Sequence, residues 1–403
     1  MRSATLLLSI LLLVGCQPPI PQNVQWTGAL QMQNGRLLAV QFHLDLKTEP
    51  TGWMIVGDER TLIPEVRVVG DSVVLAFAEY DAAIRARWDG GRLEGSYERY
   101  RKDTVRIPWW AEPNAGGNEP RTPSMPAVAL VGSYRVFFAR DDEVDTLTSA
   151  RFWVKGDSLF GSFIAADGDY GLFAGNQNGD TVVLDRFNGW QALKLEMRYE
   201  GMSWAGELYS RDLRPTSFRL ESRPGADAVV HAERTTKAKE PKAPFRFTGV
   251  TPEGDILSES SPRFKGKVLI VDVMGTWCHN CMDSAPILER LAREFGPQGL
   301  EVVGLAFELR DDTASARKNL ALFRKRYGIS YTLLFCGSTD PQYTRPVLQD
   351  QLTDFYAYPT SLFLDRRGRI VDVHTGFRGP GSGEGYQKEI DLFHQKTEEL
   401  TRR

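Results

Sequence analysis

A nearly continuous apolar run, Lys267-Val268-Leu269-Ile270-Val271-Asp272-Val273-Met274, leads directly into Gly275-Thr276-Trp277-Cys278-His279-Asn280-Cys281. Such a run marks a central strand covered on both faces. Apolar residues then recur at Met282, Ala285, Leu288, Leu291, Ala292 and Phe295, one face of a helix. This part of the chain is thereby confined to an α/β fold with two thiols at a strand-to-helix junction. Cys278 falls at the helix N-terminus, where unpaired N–H groups and the helix dipole favour a thiolate. Cys281 follows one turn later, close enough to close a disulfide. A zinc site needs two further Cys or His ligands, and the sequence has no second C-x-x-C and no H-x-x-x-H. Neither a metal nor another cofactor is therefore expected.

Composition excludes other classes. The 403 residues carry 49 Lys and Arg against 52 Asp and Glu, a net charge of −3, so no basic excess is available to neutralise a nucleic-acid backbone. Length predicts two or three domains, each large enough for its own core. Four cysteines, Cys16, Cys278, Cys281 and Cys336, are too few for a disulfide-stapled scaffold. The N-terminus joins one Arg to a short apolar run ending Leu13-Val14-Gly15-Cys16, the pattern of an export signal too short to span a bilayer.

Two stretches read as linkers: 111–126, with four Pro and two Gly, and 223–244, charged and Lys-rich. The segments before them, 16–110 and 127–222, predict antiparallel all-β structure, with short β-branched and aromatic runs between turn signals such as Asp89-Gly90-Gly91, Asp167-Gly168 and Asn188-Gly189. They read as copies of one unit. Asp71-Ser72-Val73-Val74-Leu75 followed by Arg92-Leu93-Glu94-Gly95-Ser96-Tyr97 has its counterpart in Asp180-Thr181-Val182-Val183-Leu184 followed by Trp204-Ala205-Gly206-Glu207-Leu208-Tyr209. A small sandwich or barrel-like meander per unit is expected. Trp109, Trp110, Trp153, Trp190 and Trp204 are assigned to core packing rather than to a ligand groove.

Residues 245–403 resemble the thioredoxin-fold domain of the TlpA/ResA-like thiol:disulfide oxidoreductases, within the AhpC/TSA superfamily. The resemblance rests on Trp277-Cys278-His279-Asn280-Cys281, on Pro286 in the following helix, and on Tyr358-Pro359-Thr360 before the strand Ser361–Asp365. It implies that Cys278 attacks a substrate disulfide and Cys281 resolves the mixed intermediate. It further implies that Asp272 or Glu308 takes the proton of Cys281, and that Trp277, His279 and a cis-proline loop of Tyr358, Pro359 and Thr360 meet substrate. Leu13-Val14-Gly15-Cys16 resembles a bacterial lipobox, implying removal of residues 1–15 and lipidation of Cys16. Gln17 after it favours the outer membrane, on the periplasmic face of the envelope. The whole arrangement resembles lipoproteins of Bacteroidetes type. Implied partners are protein disulfides of the cell envelope, a DsbD-like electron donor, and the membrane through Cys16.

Three further expectations follow. A protonated His279 would stabilise the Cys278 thiolate and make the couple more oxidising. Cys336, closing a predicted strand, is a core filler. The Gly-rich run 376–383 lacks the Gly-Lys-Ser/Thr ending of a phosphate loop. Two alternatives compete with disulfide reduction. One is a thiol peroxidase, although no Pro-x-x-x-Thr-x-x-Cys precedes Cys278; the other is a β binding or docking module with an accessory redox domain.

Overall fold

The computed structural model describes residues 18–402 except 33–34, 101–103, 115–127, 141–142, 146–147, 211–213 and 225–235. Cys16 and residues 1–15 lie outside the described residues.

The first β unit is a nine-stranded antiparallel sheet between Val24 and Pro113, with edge strands Glu59–Leu62 and Glu65–Val69. It forms a half-barrel in which alternate residues of each strand face the interior. In the strand Leu37–Asp45, for example, Leu38, Val40, Phe42 and Leu44 are buried while the intervening positions are more open. The second unit closes: the strand Gly132–Arg140 pairs with both Ser149–Lys155 and Thr216–Ser222, completing an eight-stranded barrel. Its interior is aromatic, with Phe138, Phe163 and Phe218 in mutual contact. The two repeat segments occupy matching places. Ser72–Phe77 and Leu93–Tyr100 flank one strand of the first sheet, as Thr181–Phe187 and Ser203–Ser210 flank one strand of the barrel. Turn chemistry acts as the sequence implies: the Asp89 carboxylate accepts the N–H groups of Gly91 and Arg92 at 2.8 and 2.7 Å.

Trp109 and Trp204 are buried. Trp190 lies under the Arg99 guanidinium and stacks on Tyr80. Both linker stretches are partly structured. The strand Thr104–Pro113 runs into the first because Trp110, Ala111 and Glu112 pair with Thr27–Ala29. In the second, Lys237–Ala238 pairs with Leu352–Thr353, and the buried Thr236 donates to the Asp354 carbonyl.

The C-terminal domain is α/β and thioredoxin-like. Its central strand, Val268–Met274, is parallel to Leu300–Glu308 and antiparallel to Thr360–Leu364, with Thr332–Ser338 and Ile370–Thr375 outside them. Helices α1 (His279–Phe295), α2 (Thr313–Tyr327), α3 (Pro341–Thr344) and α4 (Glu384–Thr401) complete it. Period-two alternation sorts the central strand. Val268, Ile270 and Met274 join the core under α1, whereas Leu269, Val271 and Val273 join a second core with Phe245, Phe247 and Phe264.

The domain is not a separate bead. One continuous core runs from the half-barrel into α1, where Tyr80 donates to Met282 Sδ at 3.2 Å. Ion pairs Arg326–Glu79 (3.0 Å) and Arg310–Asp81 (2.7 Å) reinforce the same junction.

Candidate active site

The central strand ends at Met274 and α1 begins at His279, so Cys278 is its N-cap. Its backbone is extended and its sulfur accepts the Cys281 N–H at 3.2 Å, meeting one of the donors that a helix start leaves unpaired. The two cysteines form a disulfide, Cα to Cα 5.2 Å. Cys278 is 6% exposed and Cys281 1%. The Tyr358–Pro359 peptide is cis, and the Tyr358 carbonyl oxygen lies 3.5 Å from Cys278 Sγ. Trp277 is fixed by donating to the Phe307 carbonyl at 2.9 Å, and its ring meets that of Tyr358 edge-on. Thr360 is turned inward, donating to the Ala357 carbonyl, so the outward face of this loop is made by Tyr358.

Both candidate carboxyls are buried, and strand parity places both toward the layer that holds α1. Asp272 accepts only the Ser361 hydroxyl, at 2.7 Å, and burial pushes it up to about 7. Glu308 is also pushed up by burial to about 7, although Thr276 donates its N–H to Oε1 (2.9 Å) and its hydroxyl to Oε2 (2.7 Å). Glu308 thus holds the loop leading to Cys278, whereas Asp272 keeps one oxygen without a hydrogen bond to any described residue.

The protonated state expected of His279 is overturned. Its side chain is 14% exposed, and burial together with the Arg186 guanidinium, 3.4 Å from both ring nitrogens, holds the imidazole down at about 4. At neutral pH it is uncharged. The cation beside the motif is Arg186, from the barrel strand Thr181–Phe187. It is fully buried and paired through both terminal nitrogens with Glu59 of the half-barrel, at 2.8 and 3.1 Å. It also donates to the Leu172 carbonyl and Gln191. Burial alone would raise Glu59, but Arg186 wins and holds it at about 2. Asp283, one turn beyond His279 on α1, and Asp169 of the barrel converge on Gly379, where a Cβ would lie 3.1 Å from Asp169 Oδ2 and would overlap Asp283 Oδ2. Burial, with the Glu59 carboxylate adding to it, raises both carboxyls against the opposing pull of Arg186, Asp169 to about 6.

Sequence reasoning misses Arg186, Glu59 and Asp169, because they reach the motif from separate strands of the β units. Asp283 carried a readable signal, its i,i+4 spacing from His279. Among the described residues, no three His, Cys, Asp or Glu side chains converge as metal ligands. No described helix is long and apolar enough to cross a membrane.

Cys336 is partly buried, its sulfur against Gly249, and desolvation pushes its thiol up to about 12. At pH 8 only about 10⁻⁴ of it is thiolate. Iodoacetamide should therefore label it only after denaturation, as peptide mapping by mass spectrometry would report; rapid labelling of the native protein would contradict its role as filler.

Residues 238–388 match the Redoxin family model. Over 112 residues the chain is 27% identical to thioredoxin-like protein YneN of Bacillus subtilis, covering 28% of this chain and 58% of that protein. Over 126 residues it is 28% identical to thiol-disulfide oxidoreductase ResA of Bacillus cereus, covering 31% and 65%. The chain thus spans less than two thirds of the length of these relatives. Among solved structures, a thiol-disulfide oxidoreductase from Bacteroides fragilis aligns at 20% identity, covering 38% of this chain and 99% of that one, with a TM-score of 0.27.

Proposed function

We propose that this protein, whose C-terminal part is a redoxin domain of thioredoxin-like fold with a Cys-x-x-Cys pair, is a membrane-anchored thiol:disulfide oxidoreductase that reduces disulfides of envelope proteins. The observation that carries this reading is the Cys278–Cys281 pair at the start of α1, set against the Tyr358 carbonyl.

In the reduced protein the Cys278 thiolate attacks a substrate disulfide. A Cys278–substrate bond forms, the substrate S–S bond breaks, and one substrate thiolate leaves. Cys281 loses its proton to Asp272, and its thiolate attacks Cys278, closing the protein disulfide and expelling the second substrate thiolate. The substrate gains two electrons and the protein dithiol loses two. A dithiol donor of DsbD type resets the pair. Asp272 suits the base role because a carboxyl near 7 takes and returns a proton at neutral pH. Glu308 positions the Thr276–Trp277 turn, and Trp277 and Tyr358 flank the incoming disulfide. Lipidated Cys16 holds the protein to the periplasmic face of the outer membrane.

Trapping tests this reading. Cys281→Ala should accumulate mixed disulfides on Cys278 in envelope extracts, and these should vanish in Cys278→Ser/Cys281→Ala. Captured proteins then name substrates and donor. An extract that yields none, with no insulin reduction by the wild type in dithiothreitol, would sink the proposal.

A further inference from the structure

The barrel places a tight turn on the thiol site. Between the strand Ser158–Ala165 and Gly168–Asp169 the chain reverses, leaving Asp167 exposed and Gly168 buried. The Asp167 carbonyl accepts the Asn280 amide of the Cys-x-x-Cys motif and the Phe377 N–H, each at 3.4 Å. Gly168 forms a parallel bridge with Phe377. Gly376 faces the Asp167 backbone so closely that a Cβ there would lie 2.5 Å from its Cα, C and O. Gly376 in turn donates its N–H to the Pro359 carbonyl at 2.7 Å. The turn therefore spans two parts of the thiol platform, the residue between the cysteines and the backbone hydrogen-bonded to the cis-proline.

It is anchored as well as seated. Asp169 accepts the Gly171 N–H at 2.7 Å, and the barrel behind it is tied by the buried Arg186 to Glu59 and His279. With this turn in place Cys278 is only 6% exposed. The side left open is aromatic: Trp277 and Tyr358 with ring centroids 5.5 Å apart, Phe355 packed on Tyr358, and Tyr356 at 38% exposure.

We infer that the Asp167–Gly168 turn is a specificity-determining cap, admitting disulfides that are small or carried on extended segments and rejecting those held in folded proteins. The inference rests on the thiol:disulfide exchange proposed above and narrows its substrate class. An extended segment can pass between the turn and the aromatic edge, whereas a globular surface meets the barrel before its sulfur reaches Cys278.

The glycines supply the test. A side chain at Gly168, whose φ is +136°, would overlap the Asn280 amide and lie 2.7 Å from the Phe377 carbonyl, so Gly168→Val should lift the turn. The expected result is an insulin reduction rate raised about tenfold, with reduction of 2-hydroxyethyl disulfide within about twofold of wild type. A second readout needs no turnover. In the reduced wild type, iodoacetamide should alkylate Cys278 while a maleimide carrying a polyethylene glycol chain reacts slowly, and Gly168→Val should remove that difference. Gly376→Ala, which displaces the same turn from the opposite side, should also remove the difference between the two alkylating reagents, and this readout covers the case in which Gly168→Val does not fold. Parallel changes with both disulfides, or equal access of the bulky maleimide to wild type and variants, would overturn the cap. A wild type that reduces neither disulfide would sink the parent reading, and the alkylation ratio would then decide the cap alone.

Discussion

At pH 8 an Asp272→Asn variant should be about 3 kcal/mol more stable than the wild type, and at pH 4 about 1 kcal/mol less stable. The reversal follows from where the proton sits. The native carboxyl is raised by burial from 3.8 to about 7. Below pH 4 it is protonated in both folded and unfolded chains, and its contribution is fully present. Between pH 4 and 7 the unfolded chain releases a proton that the native state keeps, so stability falls by about 1.4 kcal/mol per pH unit, roughly 4 in all. Asparagine removes that loss, but its amide brings donors with no acceptor in the site, which costs about 1 kcal/mol. Urea titrations at the two pH values measure the difference. A gap that does not change with pH would mean that Asp272 is not a buried acid.

The same variant should resolve mixed disulfides about 10²-fold more slowly, since general base assistance is worth that much or more. Mixed disulfide would then accumulate in single turnovers even though Cys281 is intact. Glu308→Gln separates the two carboxyls. Both Glu308 oxygens already accept hydrogen bonds from Thr276, and Gln keeps one acceptor while its NH2 group faces the Thr276 donors. That substitution should loosen the Trp277 turn and leave the resolving step closer to wild type.

The redox domain was legible because its signals are local. An apolar strand, a thiol pair and a helical stripe lie within thirty consecutive residues, 267–296, and each appears where the pattern places it. The β units were legible as strands and turns, since alternation and Asp-Gly or Asn-Gly pairs are likewise local. Closure was not. Nothing in a strand's own pattern says that Ser158–Ala165 will pair with Phe173–Asn178 and complete the ring, whereas in the first unit, where Val24–Gln31 likewise joins Leu37–Asp45 and Thr104–Pro113, Glu59–Leu62 and Glu65–Val69 remain the two edges of an open sheet. His279 is the instructive failure. The sequence offers a protonated imidazole beside the sulfur, but its protonation state is set by burial beneath a domain that the motif cannot announce and by Arg186, 93 residues away. The cap over Cys278 was hidden for the same reason, because Asp167-Gly168 reads as any hairpin turn until the barrel is docked.

Arg186→Met should cost about 3 kcal/mol, because it strands a carboxylate without its cation. Arg186 is fully buried, while the Glu59 side chain keeps 26% exposure, which places the expected loss at the lower end of the range for breaking a buried pair. Removing the other charge as well should recover most of it, so Arg186→Met/Glu59→Gln is expected to lie within about 1 kcal/mol of wild type. The pH dependence fixes the sign independently. Glu59 is held at about 2, so its pairing stabilises the fold above pH 4.5 and is lost as pH falls toward 2. The gap between wild type and Arg186→Met should therefore shrink in acid. Loss of the guanidinium should also let the His279 imidazole titrate higher than about 4, since Arg186 is, after burial, the main influence holding it down. Its ring proton resonances, followed by NMR from pH 3 to 8, would report the shift directly. A variant that is destabilised while His279 titrates as in the wild type would show that Arg186 ties the β units together without acting on the thiol motif.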